Sequence, residues 1–259
     1  MNNYLLSGGT HMKMLFWNIC EGCKNKSDMQ NPSDPALSKL MSNGRDRENT
    51  ISKWIEEQRP DVVALLELQG FSNSRLQHMA SRWNHPHHLL LQGSFPMAIT
   101  STYPLRRPSW IIQDMTHGLI SVDIEHIQVM LCHIPPKKHT KYNDRCVEYR
   151  QLLPFVLPRI TMNLPLLFLG DLNAPMQDDL VSGLRALGLL DSIADQSAER
   201  TDYVLHNAPL QSHIRITTFA KDTVLHADSN IRMYNVSDHT PIIVQISTSA
   251  STAVSTHGK

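Results

Sequence analysis

Apolar and polar positions fall into short blocks along this chain, and the blocks read in turn as strands and helices. Lys13 to Asn18 (Lys-Met-Leu-Phe-Trp-Asn) is a β-prone run. Polar residues with Pro32, Pro35 and Gly44 fill 24–50 and predict a long loop with one helical turn near 36–41. Ile51, Trp54 and Ile55, spaced among charges, predict an amphipathic helix over 46–58 that stops before Pro60. Asp61 to Leu68 is apolar but for its acids and predicts a buried strand that ends at Glu67. A helix over 72–83 and a strand over 97–101 follow. Strands 119–124 and 127–133 meet at a tight Glu125-His126 turn. Further on come a helix over 143–160, a buried strand over 164–170 and a helix over 177–188. Strands are expected near 202–206, 213–219 and 231–235, and a last one over 241–247. His85, His87 and His88 fall in a loop and are expected to face solvent. Strands outnumber helices, and neither a repeat nor a composition break divides the chain. The pattern predicts one α/β domain with packed sheets flanked by helices.

Composition narrows this picture. A chain of 259 residues with 41% hydrophobic and 19% charged positions can bury a large core, which excludes global disorder and a metal-nucleated mini-fold. Lys plus Arg and Asp plus Glu are 24 each, so a histone-like nucleic-acid binder is excluded while a local basic patch is allowed. Four cysteines (Cys20, Cys23, Cys132, Cys146) are too few for a disulfide framework, and the lone C-x-x-C at 20–23 is weak evidence for zinc or redox chemistry. A reducing, cytoplasmic setting is expected. No apolar run reaches the roughly 18 residues of a membrane span, and no signal-peptide pattern is visible. Residues 1–12 read as a leader or cloning remnant, with a native arm as the alternative. The domain is expected over 13–247, and the Ser/Thr-rich 248–259 is expected to be a disordered tail.

Polar residues able to meet a metal or a phosphate end several of the apolar strands: Asn18, Glu67, His133, Asp171 with Asn173, and Asp238 with His239. Any one of them reads first as a helix cap or Asx turn. Their recurrence points to a site held at strand ends. The local sequences are Phe16-Trp17-Asn18, Leu65-Leu66-Glu67, Leu131-Cys132-His133, Gly170-Asp171-Leu172-Asn173 and Ser237-Asp238-His239-Thr240-Pro241. In this order they resemble the signature segments of the endonuclease/exonuclease/phosphatase superfamily, the DNase I-like fold. Ser101-Thr102-Tyr103-Pro104-Leu105 and Thr201-Asp202-Tyr203-Val204 resemble two weaker family segments, so the resemblance spans about 13–247.

That resemblance implies a four-layer α/β/β/α sandwich and cleavage of a phosphoester with Mg²⁺ or Mn²⁺. Oxygen donors suit a hard cation that keeps most of its waters. Glu67 is the implied metal ligand, with Asn18 and Asp238 close to the ion. Asp171 is implied to orient or deprotonate the attacking water, and Asn173 to donate to the phosphate. His133 and His239 are implied to contact non-bridging oxygens as cations or as N–H donors. Asp202 is implied to orient His239. Tyr103 is carried over as a substrate contact, with a packed strand-end tyrosine as the equal alternative.

The chain also departs from the family pattern. Where several members place an acid two residues after the first Asn, this chain has Cys20, a poor ligand for a hard cation, with Glu21 as a possible substitute. The Gln that often precedes the metal Glu is Leu66. The stretch from Asn18 to Glu67 is long, and its excess over 24–45 is either a substrate-selecting loop or a tolerated surface insertion. Lys137, Lys138, Lys141 and Arg145 follow His133, and Arg106 and Arg107 follow Tyr103. As a rim these cations would grip a phosphate backbone; the alternative is a solvated basic loop. Nucleic acid is the preferred substrate. A nucleotide, inositol phosphate or phospholipid headgroup is the alternative, and a silent binding module the least favoured.

Overall fold

The structure is a computed structural model that describes residues 10–19, 44–111, 115–136, 142–193, 200–226 and 231–248. Two six-stranded mixed sheets form its centre. One comprises β1 (Thr10–Asn18), β2 (Val62–Leu66), β3 (His87–Leu91), β4 (Met97–Ser101), β11 (Ile214–Thr218) and β12 (Ile242–Thr248), in the order β11-β12-β1-β2-β4-β3. The other comprises β5 (Leu105–Ile111), β6 (Leu119–Ile124), β7 (Ile127–His133), β8 (Leu166–Asp171), β9 (Leu190–Asp191) and β10 (Asp202–His206), in the order β5-β6-β7-β8-β10-β9.

The strict period of the strands builds the layers. In β1, Met12, Met14 and Phe16 point between the sheets, while Leu15 and Trp17 point outward. There they meet Ile51, Trp54 and Ile55 of α1 (Gly44–Gln58) and Leu76 and Met79 of α2 (Asn73–Arg82). In β8, Leu167 and Leu169 face the inter-sheet core and Leu166 and Phe168 face outward. The outward pair packs near Leu152 and Val156 of α3 (Tyr142–Thr161) and Leu180 and Leu184 of α4 (Asp179–Ala186). Strands covered on both faces are predominantly apolar, and β2, β6, β7 and β8 are buried throughout. Helix, sheet, sheet and helix thus stack as a four-layer sandwich. No helix among the described residues is long and apolar enough to cross a membrane.

Each sheet is organised about one parallel pair. β1 and β2 run in parallel with Asn18 opposite Leu66, and β7 and β8 run in parallel with His133 opposite Asp171. Parallel neighbours bring their C-terminal ends to one edge, so each pair delivers two strand-end residues to the same place. Gly170 lets the second pair close up. A Cβ there would lie 2.8 Å from the Cys132 carbonyl oxygen.

Several expectations are corrected. β3 and β5 are edge strands that the apolar pattern does not reveal. β3 is half-exposed, and β5 carries Arg106, Arg107 and Pro108 with a register shift between Arg106 and Ser109, features that protect a sheet edge. Hence His87 and His88 lie in a strand rather than a loop. His85 is buried, its Nε2 donating to the Pro60 carbonyl at 2.9 Å and its Nδ1 2.8 Å from the Thr100 hydroxyl. No strand covers 231–235. Arg232 makes an isolated bridge with Val224, and Met233–Val236 is a short helix, α5, whose Met233 and Val236 are buried. β1 begins at Thr10, paired with Thr248, so Thr10–Met12 of the expected leader and Thr248 of the expected tail belong to the sheet.

Candidate active site

Glu67 follows β2 directly, at a φ of 61°. A non-glycine residue held in the left-handed region costs about 1–3 kcal/mol, and such positions gather where a side chain must be aimed. Its Oε1 accepts from Asn18 Nδ2 at 2.9 Å. The same amide lies 3.1 Å from Asp171 Oδ2. One Asn side chain, fully buried at the end of β1, therefore ties the carboxylates of the two sheets together.

Asp171 is the hub. In its sheet it lies between His133 on the parallel side and Asp202 on the antiparallel side. Its Oδ1 accepts from the Asn173 backbone N–H at 2.9 Å, an Asx turn that lets the chain leave β8 with Asn173 at a φ of 45°. Its Oδ2 is 3.7 Å from His239 Nε2 and 3.8 Å from His133 Nε2. Burial and the neighbouring Asp202 carboxylate raise the Asp171 pKa to about 7, against the pull of His239 and the two hydrogen bonds.

The two histidines have opposite electrostatics. His239 is desolvated, which works against its cation. Asp202 Oδ2 accepts from its Nδ1 at 2.7 Å, and with Asp171 and Asp238 nearby the pKa rises to about 10. His239 is thus a cation at neutral pH. His133 is buried, and burial, then His117, then His239 push its pKa well below the usual value. It is neutral, which removes the cationic form of the expected phosphate contact. Asn173 Nδ2 lies 3.3 Å from His133 Nε2 and donates to the Ile134 carbonyl at 2.9 Å.

The backbone around the site is pinned as well. Ser237 Oγ donates to the Asn18 carbonyl at 2.8 Å and accepts from the His239 N–H at 3.1 Å. Trp17 Nε1 donates to the His239 carbonyl at 3.0 Å. The strand-end Asn18 and the loop bearing His239 are therefore held in one frame.

Among the described residues, two groups of side chains could hold a cation. One donor atom from each of Glu67, His133 and Asp171 lies within 4.8 Å of the others, and the same is true of Asp171, Asp202 and His239. A buried carboxylate with two partly buried ones this close demands positive charge, and His239 is one source. A divalent ion beside Glu67 would be the other, so the donor set fits a hard cation. Asp238 is exposed and belongs to neither group, although its charge reaches His239.

Tyr103 is not brought to this place. It follows β4 at the opposite end of the sandwich, packed against the inter-sheet core, where burial and the Asp61 and Glu125 carboxylates raise its pKa. The cause is strand direction: β4 runs antiparallel to β2, so the end of β4 lies beside the start of β2. Arg106 and Arg107 lie at that far end too, and Arg107 pairs with Asp123. The expected rim there is corrected. Lys137, Lys138 and Lys141 lie outside the described residues, as do Cys20, Cys23, Glu21, the 24–43 part of the insertion and the side chain of Arg145. His117, Phe95 and Ser237 were missed. Ser237 stands in the quoted Ser-Asp-His segment, but nothing in the sequence marks His117 or Phe95.

The sequence profile of the Endonuclease/Exonuclease/phosphatase family matches residues 15–239, and the chain belongs to that family. Its members are phosphoester hydrolases. The fold is found in a 3′ phosphatase, NExo, from Neisseria bound to a product DNA hairpin (16% identity, TM-score 0.62, 91% of this chain and 99% of that one). It is also found in an AP endonuclease from Archaeoglobus fulgidus (14%, 0.60, 90% and 98%). The human Nocturnin catalytic domain with bound sulfate is similar as well (14%, 0.62, 92% and 95%). At such identities the likeness is one of fold, which is DNase I-like. No curated protein matches the chain by sequence.

Proposed function

We propose that this chain is a divalent-metal-dependent phosphodiesterase that cleaves nucleic acid by in-line attack of water. The observation that carries the reading is Asp171, buried between the Asn18–Glu67 pair and the Asp202–His239 pair. Glu67, with Asn18 beside it, would hold Mg²⁺ or Mn²⁺. When bound, the ion neutralises charge growing on a phosphoryl oxygen.

The chain's own residues do the rest. Asp171 accepts the proton of the attacking water at Oδ2, and its raised pKa makes it a stronger base than a solvated aspartate. Asn18 and the Asn173 N–H fix the rotation of that carboxylate. His239, kept cationic by Asp202, offers Nε2–H to a non-bridging oxygen. His133 is uncharged and holds the Asn173 amide beside the site. Each donor is set before substrate arrives, so little reorganisation is needed in the transition state.

Nucleic acid is chosen as substrate because fold neighbours are an AP endonuclease and a 3′ phosphatase with product DNA. The test is a panel of plasmid DNA, single-stranded DNA, RNA, nucleotides and phosphomonoesters, with Mg²⁺, Mn²⁺ or EDTA. Metal-dependent cleavage of a nucleic acid is expected, with nucleotides and monoesters turned over poorly. Turnover confined to the small phosphoesters would overturn the substrate and keep the chemistry.

A further inference from the structure

The two site histidines are held by different means. A working imidazole is usually aimed by a hydrogen bond to its second nitrogen, and His239 follows that rule through Asp202. His133 does not: its Nδ1 is buried and has no hydrogen-bond partner among the described residues. What faces the ring instead is aromatic. The His117 ring centroid lies 4.4 Å away at an interplanar angle of 59°. Phe95 lies 5.3 Å away, edge-on at 83°. Phe95 and His117 also stack on each other at 4.2 Å. Three rings thus form a closed cluster.

The cluster is built from both sheets and anchored behind. Phe95 comes from the β3–β4 loop and His117 from the β5–β6 loop. Ser94 Oγ donates to the Thr116 carbonyl at 2.7 Å, which joins the two loops one residue before each ring. The Thr116 N–H donates to Oε1 of Glu148, a buried acid on α3, at 3.2 Å. His117 is itself buried. Ring contacts at such offset and edge geometries are favourable and directional, so they favour one rotamer of His133.

We propose that His117, backed by Phe95, is a positioning residue that aims the His133 ring at Glu67 and Asp171 by packing rather than by proton transfer. The inference rests on the reading that His133 serves the phosphoester site. His133 Nε2 lies 3.8 Å from both Glu67 Oε1 and Asp171 Oδ2, so a small rotation of the ring would take it away from both. The role asks for a flat ring at position 117, not for an imidazole.

The test uses the full-length protein with bis(p-nitrophenyl) phosphate and Mn²⁺, alongside NMR of the His133 ring protons. His117→Ala is expected to lower kcat about tenfold or more, since a misplacement of about 1 Å can cost a hundredfold. KM should change less than about twofold, the signature of an interaction realised in the transition state. His117→Phe is expected to restore at least half of the wild-type kcat. The His133 resonances should broaden or split in the alanine variant and stay single in the phenylalanine variant. Where His117→Ala does not fold, Phe95→Leu carries the same test with a smaller loss. Two outcomes overturn the proposal: a phenylalanine variant as slow as alanine, or an alanine variant with wild-type kcat and an unmoved His133 signal. If the wild type itself turns nothing over, the hydrolase reading fails, and the NMR comparison still decides the positioning.

Discussion

At the end of the sandwich where β1, β2, β7 and β8 finish, Glu67, Asp171 and Asp202 gather around Asn18, His133 and His239. At the other end, Asp123 is gripped by Arg107 and by Arg159 at 2.7 Å, Asp61 accepts from the Lys13 backbone N–H at 2.7 Å, and His85 is held by Pro60 and Thr100. Both ends bury polar groups. The far end matches Asp123 and Asp61 with donors, so these polar groups serve packing. The site end sets acid beside acid and keeps one histidine charged and the other neutral. Like charges held together oppose folding unless something else is gained, and that marks an end built for a ligand.

The sharpest break of this comparison is Asp171→Ala. Activity should fall about a thousandfold or more, within the range of general-base losses. Thermal stability should hold or rise, because a buried like-charged carboxylate is removed; a lower Tm with residual high activity would reverse the contrast. Asp202→Asn comes next. An amide cannot keep His239 cationic, so kcat should fall about a hundredfold. The His239 pKa should drop from about 10 toward the ordinary range, moving the alkaline limb of the pH–rate profile to lower pH. An unmoved alkaline limb would deny the Asp202–His239 coupling.

Arg159→Ala at the far end should do the opposite. Among the described residues Asp123 then keeps only the exposed Arg107, so denaturant unfolding should show a loss of about 1–3 kcal/mol, the cost of under-satisfying a buried group. Steady-state kcat should not change. The smallest effect is expected at His85. Burial lowers its pKa from 6.5, so the unfolded state binds its proton more readily than the folded one. Its contribution is complete above about 6.5 and is lost as pH falls through the folded-state pKa. Replacing it with Gln should flatten the acid side of the stability profile, which chemical denaturation at a series of pH values would detect.

How far the chain could be read from its letters follows the same division. Strands buried on both faces, such as Val62–Leu66 and Leu166–Asp171, are written as apolar runs, and the acids that follow or end them, Glu67 and Asp171, stand out against them. The edge strands His87–Leu91 and Leu105–Ile111 escape because an edge is protected by polar residues, which erases the signal. Tyr103 fails for a topological reason. Its segment resembles the family's, but only the antiparallel course of β4 shows that it faces the far end. His117 and Phe95 escape because they act through ring contact across two loops, and no local pattern encodes a contact between sheets. The neutrality of His133 was also beyond reach, since it comes from burial and from the neighbouring imidazoles.

The decisive measurement is turnover of a phosphodiester by the purified chain with Mg²⁺ or Mn²⁺, before and after EDTA, in the wild type and in Asp171→Ala. Activity that needs the ion, vanishes with EDTA and returns on adding metal, and is lost in the variant is the predicted result. Turnover that survives EDTA, or that Asp171→Ala retains in full, would contradict it.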